Sequence, residues 1–312
     1  MLTIQHTENF RIESPTIVTI GTFDGVHLGH QKILQRLKEL KEKTGLKTVV
    51  LTFEPHPRKV LFPEQKDLKL ITLIDEKLEL LDKYGVDVTV VYPFSKQFSL
   101  LESEFYIKDI LIRQLDVKHL VIGYDHKFGK NRTGDINTLR EFSAEHHFSI
   151  EEISAQDIDH IAVSSSKIRK ALEEGNLGLA SEFLGHHFFV NAHVVKGKQL
   201  GRTIGYPTAN LQVEGEEKII PGNGIYYVAV EVEGGSYKGM MSIGINPTTD
   251  NDMKIKLEVN IFDFDMNIYG RPLKLIFLKR LRDEKKFANL SDLKMQLHRD
   301  KEMCYRLMKD PA

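Results

Sequence analysis

The spacing of apolar residues changes character near the middle of this chain. In the first half, short β-branched runs at 16–22, 48–53, 86–91, 119–123 and 149–153 predict strands. Amphipathic stretches lie between them. In the first, Ile33, Leu34, Leu37 and Leu40 recur at helical spacing among Lys and Glu, and further helices are predicted at 75–84, 103–115, 136–147 and 166–174. Strand and helix in alternation predict an α/β domain, a doubly wound parallel sheet with helices on both faces. Such sheets bind ligands at the carboxyl ends of their strands. Gly175 and Gly185 suit helix C-termini, and the pattern breaks there. Beyond it, strands are predicted at 188–195, 224–232, 237–243, 256–264 and 273–278, separated by Gly, Pro and Asn turns with no helices between them. That texture predicts an antiparallel sheet or a small antiparallel β-barrel, closed by a helix at 291–309. The expected domains are 1–185 and 186–312.

Composition narrows the function classes. The chain has 312 residues, 41% hydrophobic and 28% charged, as in a globular protein of two ordinary domains. The formal net charge of -1 gives no general pull toward nucleic acid or anionic membranes, so neither is an expected partner, and phosphate-binding charge must be local. Cys304 is the single cysteine, which excludes an intramolecular disulfide and a Cys-based zinc site. The N-terminal segment lacks the pattern of a secretory signal, and no apolar run reaches the length of a membrane span. The expected location is the cytoplasm. Oligomeric state is not legible.

The run from Gly21 to His30, GTFDGVHLGH, ends the first predicted strand and opens the first predicted helix. His27 and His30 are three apart and share a helix face. Gly29 between them removes a side chain that would keep a ligand away. The unpaired N–H groups of a helix start favour phosphate, and two imidazoles beside them can donate hydrogen bonds to phosphoryl oxygens. An isolated His-x-x-His is more often an ordinary pair near a turn, and no third ligand supports zinc. The setting of strand, Gly-rich turn and amphipathic helix shifts the balance toward function. Three more segments carry suitable chemistry. The 52–57 run, TFEPHP, ends the second strand; a Pro-fixed loop is its plain reading. The 123–135 run, dense in Gly, Lys and Arg, follows the fourth strand and suits an anion-cradling loop. The 163–169 run, VSSSKIR, begins a helix; its serines suit either capping or phosphate.

The His-x-Gly-His arrangement resembles the signature of the nucleotidyltransferase superfamily. Together the four segments, spanning about residues 15–170, resemble the adenylyltransferase module of bacterial FAD synthetases. The resemblance implies that His27 and His30 are catalytic and contact the ATP phosphates. It implies nucleotide binding by Gly21, Phe23, Asp24, Gly29, His56, Asp125, Arg132, Ser165, Ser166 and Arg169, with Phe53 and Pro55 near the nucleotide or flavin end. The chain departs from many relatives at His126 and Ala162.

The 196–210 run, KGKQLGRTIGYPTAN, carries Gly197, Gly201 and Gly205 at every fourth position, so backbone N–H groups can approach a ligand closely. It is not a Walker A loop. A long Gly-rich hairpin loop is the plain reading of any slice of it. The whole run resembles the GRxxGxPTAN signature of riboflavin kinases, and the match continues through PGNGIY at 221–226, SIGINPT at 242–248, LEV at 257–259 and LRDEKKF at 281–287. The resemblance implies that Thr208 and Asn210 hold magnesium and ATP phosphates, that Gly197, Gly201, Gly205, Pro207 and Arg282 bind nucleotide or flavin, and that Glu258 is the general base. Pattern alone reads Glu258 equally as an outward strand residue between Leu257 and Val259. Departures occur at Thr249 and Asn260.

These resemblances imply an enzyme that phosphorylates riboflavin to FMN and adenylylates FMN to FAD, using ATP and Mg2+ at both steps. Two other readings compete. One is a monofunctional FAD synthase whose barrel only binds flavin, or the reverse. The other is an HxGH enzyme acting on a nicotinamide or pantetheine phosphate, which the second motif set argues against.

Overall fold

The computed structural model describes all residues except 6, 66, 125, 155–162, 198–200, 202–203, 248–252 and 310–312, together with the side chains of 132, 245–247, 253 and 254. The chain divides into two compact units, Met1–Ser165 and Ser166–Ala312.

The first unit is a parallel sheet of six strands: β1 (Leu2–Gln5), β2 (Thr16–Ile20), β3 (Lys47–Glu54), β4 (Val88–Pro93), β5 (Val117–Gly123) and β6 (Ser149–Ile153), in the order β1-β4-β3-β2-β5-β6. The buried runs TIVTI and VVLT make the central strands, since a parallel sheet is covered on both sides. The helices are α1 (Leu28–Thr44), α2 (Pro57–Leu61), α3 (Ile74–Lys83), α4 (Lys96–Ser99), α5 (Ser103–Phe105) and α6 (Ile136–His146). After α5 the chain continues in wider π-helical turns over Tyr106–Gln114, where a continuous helix was expected. Val18, Ile20, Val49, Leu51 and Ile122 pack with Tyr106, Ile107, Ile110 and Leu111 of those turns. Ile17 and Val50 point the other way and are equally buried, and α1 packs on β2, β3 and β5 through Ile33, Leu34 and Leu37. β1, half-exposed and four residues long, carries too little pattern to be read from sequence.

Because β3 and β4 run to one side of β2 while β5 and β6 run to the other, the order reverses between β2 and β5. A crevice opens at the carboxyl ends of strands at such a switch point. The segments that follow β2 and β5 are the two motif-bearing turns.

The second unit begins with the helices α7 (Ser165–Glu173) and α8 (Leu177–Leu184) and continues as a closed antiparallel barrel. Its strands are β7 (Phe189–Val195), β8 (Ala209–Val213), β9 (Gly224–Val232), β10 (Gly235–Pro247), β11 (Met253–Ile261) and β12 (Pro272–Arg282), in the order β10-β11-β8-β7-β12-β9. Closure removes free sheet edges. The last helix, α9 (Leu290–Lys309), packs on the barrel around Tyr227, Met240, Phe262 and Cys304. Burial pushes the Cys304 thiol up to about 12, so it is an unreactive core group. The sequence boundary at 185 lies beyond α7 and α8, whereas the compact units divide before Ser166. The physical reason is contact: Gly222 donates to the Leu172 carbonyl at 2.9 Å, and α8 packs on β12.

Candidate active sites

The Gly21–His30 turn leaves β2 with Gly21 donating to the Leu51 carbonyl at 3.1 Å. It then takes an uncommon course. Phe23 (φ 48°), Gly25 (φ 84°) and Val26 (φ 40°) all have left-handed backbone. For a β-branched residue this is strained, by roughly 1–3 kcal/mol, and it persists only where surroundings impose it. Here they do. Phe23 and Val26 are fully buried, and the buried Asp24 carboxylate accepts from Ile71 N at 2.9 Å, Thr72 N at 3.0 Å and Thr72 Oγ1 at 3.4 Å. Thr72 Oγ1 also accepts from Gly25 N at 2.9 Å. Asp24 thus acts as a clamp on the turn. Ser165 Oγ, at the end of the first unit, donates to the Asp24 carbonyl at 3.2 Å.

The clamp brings the two imidazoles together. His27 caps α1, its Nδ1 accepting from His30 N at 3.4 Å, which leaves the ring proton on Nε2 as a donor. The rings of His27 and His30 stack at 3.7 Å, 13° from parallel, and Phe23 packs against His30 at 4.8 Å. His30 keeps an exposed edge, but its Nδ1 is sealed from solvent and has no hydrogen-bond partner among the described residues. Burial, then the charge of His27, then that of Lys77 hold His30 well below the ordinary imidazole value of 6.5. Two imidazole donors at a helix start suit phosphoryl oxygens.

The neighbouring predicted residues fall as follows. His56 is buried and caps α2, accepting from Arg58 N at 3.1 Å. Phe53 joins Phe94 and Phe98 in an aromatic wall at the end of β3 and β4, with centroids 5.5 and 5.7 Å away. Gly29 is buried in the first turn of α1. Ser166 is exposed and Arg169 half-buried on α7. Asp125, Ala162 and the Arg132 side chain lie outside the described residues. The departure His126 stacks on Phe128 at 5.7 Å.

In the barrel, register decides which side chains meet. Asn210 of β8 is the cross-strand partner of Glu258 on β11, and Glu258 is the partner of Ser242 on β10. Paired residues share a face, so the amide, the carboxylate and the hydroxyl form a row. Leu257 and Val259 point into the core, which places Glu258 on the outer face. Lys256 Nζ meets Glu258 Oε1 at 2.8 Å on that face. Gly197 lies directly against the Asn210 amide, where a Cβ has no room. At Gly201 a Cβ would collide with the Tyr206 carbonyl and come within 3.3 Å of Thr208 Oγ1. Gly205 has φ 84°, and Tyr206 N closes the loop onto the Gly201 carbonyl at 2.8 Å. The departure Asn260 donates to the Pro207 carbonyl at 2.6 Å and so ties β11 to this loop. A cavity of about 420 Å³ is lined by Val194, Thr208, Val259, Phe264, Met266 and Tyr269, among others. Thr249 is outside the described residues.

Arg282 stands apart from this row. Its Nε and Nη2 pair with the buried Asp300 of α9, at 3.0 and 2.6 Å, and Gln296 supports the same carboxylate at 2.8 Å.

Comparison with known proteins matches both halves. The family model for FAD synthetase covers residues 9–167, and that for riboflavin kinase covers residues 184–308. The bifunctional riboflavin kinase/FMN adenylyltransferase of Listeria monocytogenes is 37% identical over 286 residues, covering 92% of this chain and 90% of that protein. The chain belongs to this bifunctional family. The enzyme of the same description from Escherichia coli K12 is 39% identical over 287 residues, 91% of this chain and 90% of its own length. A crystal structure described as a macrolide-efflux protein from Streptococcus pneumoniae superposes with a TM-score of 0.88 at 32% identity, covering 98% of this chain and 99% of that one. Among the described residues no helix is long and apolar enough to cross a membrane. The flavin enzyme therefore carries both transferase halves, an FMN adenylyltransferase on the parallel sheet and a riboflavin kinase on the barrel, and the reading with a silent barrel gives way to the bifunctional one.

Sequence reading missed the Asp24–Thr72 clamp, the Lys256–Glu258 pair and the buried Lys77, whose charge acts on His30. For Lys77 a signal existed. It stands at the head of the stripe that continues with Leu80 and Leu81, a position otherwise reserved for apolar residues.

Proposed function

We propose that FMN is adenylylated at the carboxyl end of the parallel sheet and that riboflavin is phosphorylated on the outer face of the barrel. One observation carries the reading: each unit gathers its own phosphate-handling residues, His27 stacked on His30 at 3.7 Å in one and Asn210 opposite Glu258 in the other.

In adenylyl transfer an FMN phosphate oxygen attacks Pα of ATP, the bond from Pα to its bridging oxygen breaks, and pyrophosphate leaves. His27 and His30 donate hydrogen bonds to the phosphoryl oxygens as charge builds, and the start of α1 adds its dipole. No covalent intermediate with the protein is required; positioning and charge stabilisation suffice. Gly21, Phe23 and Asp24 shape the turn, and Phe53 with its aromatic neighbours offers the flat ring of the flavin a wall. His56, Asp125, Arg132, Ser165, Ser166 and Arg169 complete the nucleotide contacts of this reading.

In the kinase step the primary hydroxyl of riboflavin loses its proton to Glu258 while its oxygen attacks Pγ, and ADP leaves. Glu258 is half-buried, so it is both reachable and shielded. Magnesium fits the donors present. Thr208 and Asn210 offer hard oxygen atoms, the glycines at 197 and 201 press against them, and this ion takes few protein ligands beside phosphate and water. Bound there, it would neutralise phosphate charge. The cavity beside Thr208 is large enough for a nucleotide base. Arg282 acts in this reading from behind the site, through its tie to α9. An ATP-dependent pair of reactions belongs in the cytoplasm.

The test uses the full chain with two substitutions. His30→Ala abolishes FAD formation from FMN and leaves FMN formation intact; Asn210→Ala does the reverse. Loss of both activities from either folded variant would overturn the two-site reading.

A further inference from the structure

Lys77 is 4% exposed, on a helix face shared with Leu80 and Leu81. A buried ammonium is costly unless its surroundings compensate it, and an apolar residue of similar length fills the space without that cost. Its Nζ donates to Thr52 Oγ1 at 3.3 Å, near the carboxyl end of β3. The Thr52 hydroxyl donates in turn to the Thr22 carbonyl at 3.2 Å, inside the Gly21–His30 turn. The lysine is therefore connected to the motif-bearing turn through the Thr52 hydroxyl.

We propose that Lys77 is a positioning residue for adenylyl transfer, a buried ammonium that fixes the electrostatics behind His27 and His30 and presents a standing positive potential to the triphosphate. The inference rests on the reading of His27 and His30 as the pair that faces phosphate. The charged and titratable neighbours are few. His27 and Lys77 act on His30, while Asp24, from the turn, and Glu54, from the end of β3, act on Lys77. The three donors from Ile71 and Thr72 all meet one oxygen of Asp24, its Oδ1. The sealed Nδ1 of His30 leaves a ligand only the other edge of the ring to meet. The positive field of Lys77 works in the same sense as burial, keeping that ring neutral, while the ammonium itself lies where anionic phosphates gain from it.

The experiment compares the full-length wild type with Lys77→Met, Lys77→Arg and His30→Ala. FAD formation from FMN and ATP is followed across pH, with FMN formation from riboflavin and thermal unfolding measured on each protein. Lys77→Met is expected to lower kcat/KM for FAD formation by about tenfold or more. Its acid limb moves to higher pH, because His30 loses a like-charged neighbour, and FMN formation is unchanged. Lys77→Arg restores most of the rate and the limb. A filler of space would move neither the limb nor respond to Arg. If Lys77→Met keeps the wild-type rate and limb while His30→Ala is inactive, the inference falls and the site reading stands. If His30→Ala keeps FAD formation, the site reading itself fails. Should Lys77→Met not fold, Lys77→Gln, which retains a donor for Thr52 without the charge, takes its place. If neither uncharged form folds, Lys77 is a structural counter-charge to Asp24 and Glu54, and the proposal is wrong.

Discussion

At Asp24 a single carboxylate converts an unfavourable backbone into a fixed one. The turn holds Phe23 and Val26 in left-handed conformation, and Asp24 anchors it to Ile71 and Thr72. Asp24→Ala leaves two buried N–H donors without that acceptor and is expected to cost about 3 kcal/mol of stability. Asp24→Asn, which keeps an oxygen toward them, costs less. Thermal unfolding of the two variants side by side checks the order. Gly197 shows the same dependence in the other unit. An added Cβ lands on the Asn210 amide, so Gly197→Ala should abolish FMN formation from riboflavin while FAD formation from supplied FMN continues at its normal rate. Loss of both activities would mean that the substitution acts on folding instead of on Asn210.

At the scale of elements, α9 is held to the barrel by a charged tie as well as by apolar contacts. Arg282 at the end of β12 meets Asp300 through Nε and Nη2, and the Asp300 side chain is only 5% exposed. Removing one partner of such a pair strands the other charge, which costs about 3–5 kcal/mol. Asp300→Ala should therefore lower the urea midpoint of the barrel unit clearly, with little effect on FAD formation from FMN. Exchanging both partners for apolar residues of similar size should cost much less than Asp300→Ala alone. The helices α7 and α8 tell a related story. Gly222 fits against the Glu173 carbonyl and donates to Leu172, so the helices preceding the barrel are part of its packing.

For the whole molecule, the site on the parallel sheet couples stability to acid. His30 is held well below 6.5 in the folded state, whereas the unfolded chain protonates it near that value. Below about pH 6.5 the unfolded state binds the extra proton and the folded state does not, so stability contributed above that pH is lost as pH falls toward the folded value. His30→Asn has no such proton to take up. Between about pH 7 and pH 5 it should lose less stability than the wild type, whatever its stability at neutral pH. Equal losses in denaturant titrations at the two pH values would contradict the burial of His30 described here.

The chain alone determined the two architectures and their chemistry. Buried β-branched runs at helix-separated intervals allow little but a parallel sheet, and Gly- and Pro-punctuated strands without helices allow little but an antiparallel one. The motif residues His27, His30, Thr208 and Asn210 were legible because each belongs to a contiguous run. The tertiary structure decided the rest. It made the strand order reverse beside β2, stacked the two imidazoles, set Asn210 across from Glu258 and drew Arg282 to Asp300. Thr72, just before α3, and Lys77, on it, act on the Gly21–His30 turn from some fifty residues downstream, a distance across which periodicity carries no information. Local pattern records which face of an element is buried; which faces then meet is settled only when the chain closes on itself.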